Sequence, residues 1–349
     1  MPVVTDPSEV KEIYQECAEK GACIPCFCTE NQKTIEAMLR AAHEVGREFG
    51  VKNPPLVVGF TATYHHRQQL MSYTTTRDTV LGVKALLDDA KLFASDGSPW
   101  ADVRFMPHLD HGMPDKDKTL LYDFAEEFAT SMHDCSHLPF EENVKQTAAY
   151  VEAVKGKTLV EGAVDEISEV GASGEEQLTT VEQAQRFLSE TGCAFIVPNL
   201  GTEHRATGGE VKYYAHRAQE ISAAVGKILV LHGTSSLGEG AMQNLSNDGI
   251  VKVNIWTRLT TAGGQAVAKH VVKQLGNILD EAQIRALIDE GWLTGKYLEP
   301  AYVNDICGGK LAPVLEVVAE VDRTDVWVEE VIRRMKEYFH AFGYANLAG

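Results

Sequence analysis

Eight short apolar stretches separated by helical segments constrain this chain more than any other feature. They are residues 22–27, 56–61, 103–109, 131–134, 158–161, 194–200, 228–231 and 250–255. Their length and β-branched content read as strands covered on both faces, which lose the apolar–polar alternation of a half-exposed strand. Between them the apolar spacing turns helical, as at Val10, Ile13, Tyr14 and Cys17, or at Ile35, Met38, Leu39, Ala42 and Val45. Helices are expected over 8–20, 31–49, 79–94, 119–128, 140–154, 180–190 and 213–225, with a weak one over 238–245. Strands that alternate with helices form parallel sheets, and eight of them fit a closed (β/α)8 TIM barrel better than a half-open sheet. A doubly wound sheet usually carries G-x-G-x-x-G after its first strand, and none follows residue 27.

Polar residues gather where these strands end. Thr61, Asp110 with His111, Asp134, Glu161, His204, His232 and Asn254 all fall at or just past a C-terminal end, the face on which such barrels build active sites. The densest cluster is His108-Leu109-Asp110-His111-Gly112. Adjacent residues on a regular strand point to opposite faces, so Asp110 and His111 serve one site only if the strand stops being regular there. His111, His204 and His232 follow three different strands. They are either three unrelated histidines satisfied within the core or a catalytic metal site with one position left open. His65, His66, His133 and His137 are weaker candidates, and the four remaining helical histidines read as surface or packing residues.

Fifty acidic residues against 32 basic ones give a net charge of -18, which disfavours nucleic acid and anionic membranes as partners. There is no apolar run of membrane-spanning length and no basic-then-apolar leader at residues 1–11, so the expected location is the cytoplasm. Seven cysteines argue against a disulfide framework. Cys23, Cys26 and Cys28 read as buried thiols rather than zinc ligands, because no second cysteine pair accompanies them.

Domain organisation reads as a barrel core over 1–257, an insertion over 258–323, and a C-terminal helix within 324–349 packing on the barrel. The insertion interrupts the alternation, with a helix expected over 274–290 and a turn-rich connector at 295–300; it serves as an oligomer contact or a lid. The terminal helix is expected over 326–342 through Val328, Val331, Ile332, Met335 and Phe339.

With these residues in order, the chain resembles the class II, metal-dependent fructose- and tagatose-bisphosphate aldolases, as a divergent member. The resemblance rests on Ile24-Pro25-Cys26-Phe27, His108 to Gly112, Ser131-Met132-His133-Asp134 with Leu138 to Val144, Gly201-Thr202-Glu203-His204, Leu231-His232-Gly233 and Lys252-Val253-Asn254. It runs from residue 10 to about 257 and resumes weakly in the terminal helix. It implies zinc held by His111, His204 and His232, and Asp110 as the acid/base residue serving the C4 hydroxyl. A Lewis acid would stabilise the enediolate left on the ketone half when C3–C4 breaks, so no lysine Schiff base is required. The implied activity is reversible aldol cleavage of a ketose (bis)phosphate or related acidic sugar to dihydroxyacetone phosphate, or an analogue, and an aldehyde. The implied partners are a sugar-phosphate substrate and further copies of the chain, with a monovalent cation at the phosphate as a further cofactor the resemblance allows.

Substrate contacts implied by the resemblance are Gly233, Ser235, Asn254 and Thr257, to which Arg205 and Arg258 either add charge or stand as solvated rim residues. His108, Asp134 and Glu161 are expected to support the reacting groups, with His108 orienting Asp110. Several positions depart from the family pattern. Gly233-Thr234-Ser235-Ser236 stands for Gly-Gly-Ser, Trp256 for an acid, Arg205 for a glycine, and Glu161-Gly162-Ala163 for Glu-x-Glu. The altered cradle motivates a second reading, a sugar-phosphate-binding barrel without aldolase activity. A metal-dependent isomerase or hydrolase on the same scaffold is a third.

Overall fold

In the computed structural model, which describes residues 3–166, 178–202, 213–234 and 237–348, the eight strands close into a parallel barrel in sequence order. They are β1 (Ile24–Cys28), β2 (Pro55–Phe60), β3 (Arg104–Gly112), β4 (Thr130–His133), β5 (Leu159–Ala163), β6 (Phe195–Val197), β7 (Leu229–Leu231) and β8 (Ile250–Ile255). The (β/α)8 expectation is borne out. β8 pairs with β1, Asn254 opposite Cys26, and that pairing shuts the barrel without a free edge. The strands are buried almost throughout, because helices cover them outside and side chains fill them inside.

The helices on the barrel are α1 (Pro7–Glu19), α2 (Gln32–Phe49), α3 (Gln69–Tyr73), α4 (Thr79–Phe93), α5 (Phe140–Ala153), α6 (Val181–Thr191), α7 (Ala215–Val225) and α8 (Glu239–Met242). Local chemistry sets their ends. Asp6 caps α1 by accepting from the backbone N–H groups of Ser8 and Glu9, and Pro7 fits the first turn, where its missing donor costs nothing. Asn31 caps α2, and Gly50 ends it in the left-handed conformation at φ 73°. The helix expected over 119–128 is instead a π-turn at Thr119–Asp123 followed by a 3-10 turn at Ala125–Glu127.

The chain divides into two compact units, residues 1–258 with 335–349, and residues 259–334. In the first, the C-terminal residues close on the strands: the Phe339 ring meets Phe27 edge-on at 5.5 Å, and Tyr344 donates its hydroxyl proton to the Pro55 carbonyl. The second unit is helical, and the single helix expected over 274–290 is resolved differently. α9 (Thr257–Gln274) ends where that helix was expected to begin, and α10 is confined to Glu281–Asp289. α11 (Pro300–Asp305), α12 (Leu315–Asp322) and the start of α13 (Asp325–Ala341) follow. Gly263 on α9 lets Trp327 on α13 approach, since a Cβ there would lie 2.2 Å from the indole nitrogen. No helix among the described residues is long and apolar enough to cross a membrane.

Candidate active site

The end of β3 resolves the question posed by adjacent Asp110 and His111. Leu109 pairs with Ser131 and Gly112 with His133, so β3 spends three steps where β4 spends two. This is a bulge of one residue. His111 takes φ 48°, a left-handed conformation that costs a non-glycine residue of order 1 kcal/mol. The result is that Asp110 and His111 both line one cavity of about 150 Å³. Gly112 is needed beside them: a Cβ there would lie 2.8 Å from the Met132 carbonyl oxygen.

Asp110, His111 and His232 each offer a ligand atom, and these atoms lie within 4.8 Å of one another, all three residues buried. The Asp134 carboxylate sits 2.6 Å from His111 Nδ1 and accepts a hydrogen bond from its N–H, so His111 turns Nε2 to the cluster, 3.3 Å from His232 Nδ1. Tyr64 covers the other side of His111, stacked at 4.0 Å with a 5° tilt. The loop after β7 is held by Thr202, whose hydroxyl donates to the His232 carbonyl at 2.7 Å, and by Thr234, whose hydroxyl donates to the Asn254 carbonyl at 3.0 Å.

Burial works against the charge of Asp110, but the imidazoles of His111, His232 and His108 outweigh it and hold the carboxyl well below the usual carboxylate range. Asn254 donates its amide to Asp110 Oδ1 at 3.0 Å, and the Cys28 thiol approaches Oδ2 at 3.6 Å. Cys28 stays a thiol because hydrogen bonding with Cys26 and burial push its pKa up. For His111 burial lowers the pKa, while Asp110 and Asp134 more than reverse that. Asp134 is driven down in turn: burial opposes its ionisation, but the bond to His111 prevails.

Below this cluster the barrel interior carries a charged chain. Lys252 Nζ lies 2.6 Å from Glu161 Oε1 and 3.0 Å from His108 Nε2, with all three side chains fully buried. An ammonium group accepts no hydrogen bond, so His108 Nε2 accepts and Nδ1 donates to the Thr130 hydroxyl at 2.7 Å. His108 Nε2 lies 3.7 Å from Asp110 Oδ1. For Lys252 burial lowers the pKa, yet Glu161 and its neighbours raise it above the ordinary value, so the amine stays charged.

Of the residues singled out from sequence, Asp110, His111, His232, Gly233, Asn254, Thr257 and Arg258 line the cavity together. His204, Arg205 and Ser235 lie outside the described residues. Asn254 is engaged with Asp110, and Arg258 donates to the Leu237 carbonyl at 3.3 Å. Glu161 meets Lys252, whereas Asp134 meets His111. Tyr64 and Arg67 were not anticipated, and Lys252 was named only within the Lys252-Val253-Asn254 motif, with no role. Tyr64 and Arg67 sit in a loop with no periodicity to read, and Lys252 sits inside a strand where a single charge resembles an interruption.

A family model described as fructose-bisphosphate aldolase class-II matches residues 8–342. A curated fructose-bisphosphate aldolase from Staphylococcus epidermidis is 26% identical over 277 residues, which is 76% of this chain and 85% of that protein. Among solved structures, fructose-bisphosphate aldolase from Campylobacter jejuni superposes with a TM-score of 0.74 at 18% identity, covering 99% of this chain and 97% of that one. The YdjI aldolase of Escherichia coli K12 does so with a TM-score of 0.63 at 19% identity, covering 98% of each. At such identities these structures speak for the fold, and the family match speaks for kinship. With its closed parallel barrel and a match from residue 8 to residue 342, the chain belongs to the class-II fructose-bisphosphate aldolase family of carbon–carbon lyases.

Proposed function

We propose that this protein catalyses metal-dependent, reversible aldol cleavage of a ketose phosphate, ketose bisphosphate or related acidic sugar, giving dihydroxyacetone phosphate or an analogue and an aldehyde. The convergence of Asp110, His111 and His232 at the mouth of the barrel carries this reading. The donor set fits zinc. Two imidazole nitrogens bound tetrahedrally at zinc lie about 3.3 Å apart, from bond lengths of about 2.0–2.1 Å. His111 Nε2 and His232 Nδ1 are 3.3 Å apart. His111 and His232 would hold the ion together with His204, which follows β6 in sequence.

When bound, the ion supplies Lewis-acid charge for the electron pair left on the ketone half as C3–C4 breaks. Asp110, ionised at neutral pH, takes the proton from the C4 hydroxyl in cleavage and returns it in synthesis. Asn254 fixes the carboxylate, and Asp134 fixes the His111 tautomer. Gly233, Thr257 and Arg258 in the cavity wall receive the substrate phosphate, and Ser235 and Arg205 are assigned to it from the sequence alone. Lys252, charged and paired with Glu161, is no nucleophile for a Schiff base.

The test is aldehyde or triose-phosphate release from a panel of phosphorylated and unphosphorylated ketoses by the zinc-loaded protein. Asp110→Ala should keep its zinc and lose about 10²–10⁴-fold in turnover. His232→Ala should lose the zinc. Full activity in Asp110→Ala, or in protein stripped by a chelator, would sink the proposal. The indole of Trp256 in the cavity wall favours one other reading, ligand binding without cleavage, which tight binding across the panel with no released aldehyde would establish.

A further inference from the structure

We propose that Arg67, laid over the indole of Trp256, selects a second anionic group on the substrate, beyond the phosphate held by the loop after β7. The inference rests on the aldol-cleavage reading only for the identity of the molecule that brings the anion.

Arg67 Cζ lies 4.0 Å from the centroid of the Trp256 ring, and both residues line the cavity that holds Asp110 and His111. The loop carrying Arg67 is tied to the end of β2. The Thr61 hydroxyl donates to the Arg67 carbonyl, the Thr61 N–H donates to the Gln69 side chain at 2.9 Å, and the Leu70 N–H donates to the Thr61 carbonyl at 3.0 Å. The guanidinium is therefore presented from an anchored turn rather than from a loose rim.

A guanidinium centred over an aromatic ring still has N–H groups to offer planar acceptors such as carboxylate or phosphate. Nη2 is engaged with Glu30. Nε–H is shielded from solvent and has no hydrogen-bond partner among the described residues. A buried donor in that condition is costly unless an acceptor arrives. At Trp256 the platform under the cation is uncharged. An acid there would compete with the substrate for the cation, whereas an indole attracts the guanidinium without neutralising it. With Nη2 held by Glu30 and an uncharged ring beneath the cation, it is the Nε–H edge of Arg67 that is left for an anion of the substrate.

Two unreactive probes, butyl phosphate and the bisphosphate of butanediol, test this by calorimetry on the full chain with zinc present. The wild type should bind the bisphosphate at least about tenfold more tightly than the monophosphate. Arg67→Met should erase that preference while leaving butyl phosphate within about twofold. Trp256→Leu, which keeps the cation and removes its platform, should also reduce the preference. Glu30→Gln should preserve or raise it. A bisphosphate preference that survives Arg67→Met overturns the proposal, as does its absence from the wild type. Equal weakening of both probes by Arg67→Met and Glu30→Gln also overturns it, because Arg67 would then be only one half of an ion pair. A counterpart probe with one phosphate replaced by carboxylate names the anion: whichever binds tighter identifies a second phosphate or a sugar-acid terminus. Since no probe is cleaved, protein that discriminates between them but cleaves no ketose or acidic sugar, phosphorylated or not, would refute the aldol reading and leave this assignment standing.

Discussion

At the scale of single residues, the site depends on groups that fix other groups. His111 would present Nε2 to a metal because Asp134 holds Nδ1 at 2.6 Å, and His111 tolerates φ 48° because the bulge at the end of β3 leaves it no regular strand position. Asp134→Asn keeps the side-chain shape but removes the charge that draws the Nδ1 proton. The expected result is a zinc affinity lower by about 10–100-fold, measured by competition with a chromophoric chelator, with activity recovered in part at saturating zinc. Unchanged affinity would mean that Asp134 serves only local packing. Asp134 was visible in the sequence as an acid at a strand end, but its partner was not, because pairing with His111 crosses 23 residues of chain.

At the scale of elements, β8 does more than close the barrel. It delivers Asn254 to Asp110 and Lys252 to Glu161 on β5 and His108 on β3, two positions apart on one strand and so on one face. Removing one member of a fully buried ion pair leaves a charge without compensation. Lys252→Met should therefore cost about 3–5 kcal/mol, read by equilibrium urea unfolding, and adding Glu161→Leu should recover most of it. A loss below about 1 kcal/mol in the single variant would show that water or relaxation relieves Glu161. The strand at 250–255 was legible to the residue, since β-branched alternation bounded by Gly249 and Trp256 leaves little freedom. α9 was not legible, because its glycines and threonines blur the helical period.

At the scale of the whole molecule, pH acts through buried imidazoles. Burial lowers the pKa of His133 from 6.5 to about 4, and its ring stacks on Tyr150 at 4.5 Å. The unfolded chain thus takes up a proton at a pH where the folded one does not. The associated stability is fully present above about pH 6.5 and is lost as the pH falls towards 4, by roughly 3 kcal/mol in all. His133→Phe keeps the stack and removes the proton site, so the fall in urea midpoint between about pH 7 and about pH 5 should become shallower than in the wild type. An identical slope would assign acid sensitivity to other groups. Taken by itself, the sequence determined the number, order and direction of the strands, because burial on both faces writes itself into local composition and helices between strands force parallel pairing. It also marked which strand ends carry polar chemistry. Only the tertiary structure decided that Asp110 and His111 share a cavity, that the charged Lys252 is paired with Glu161 inside the barrel, and that Arg67 rests on Trp256. Those facts depend on a one-residue bulge and on contacts between strands distant in the chain, and neither leaves a periodic trace in the sequence.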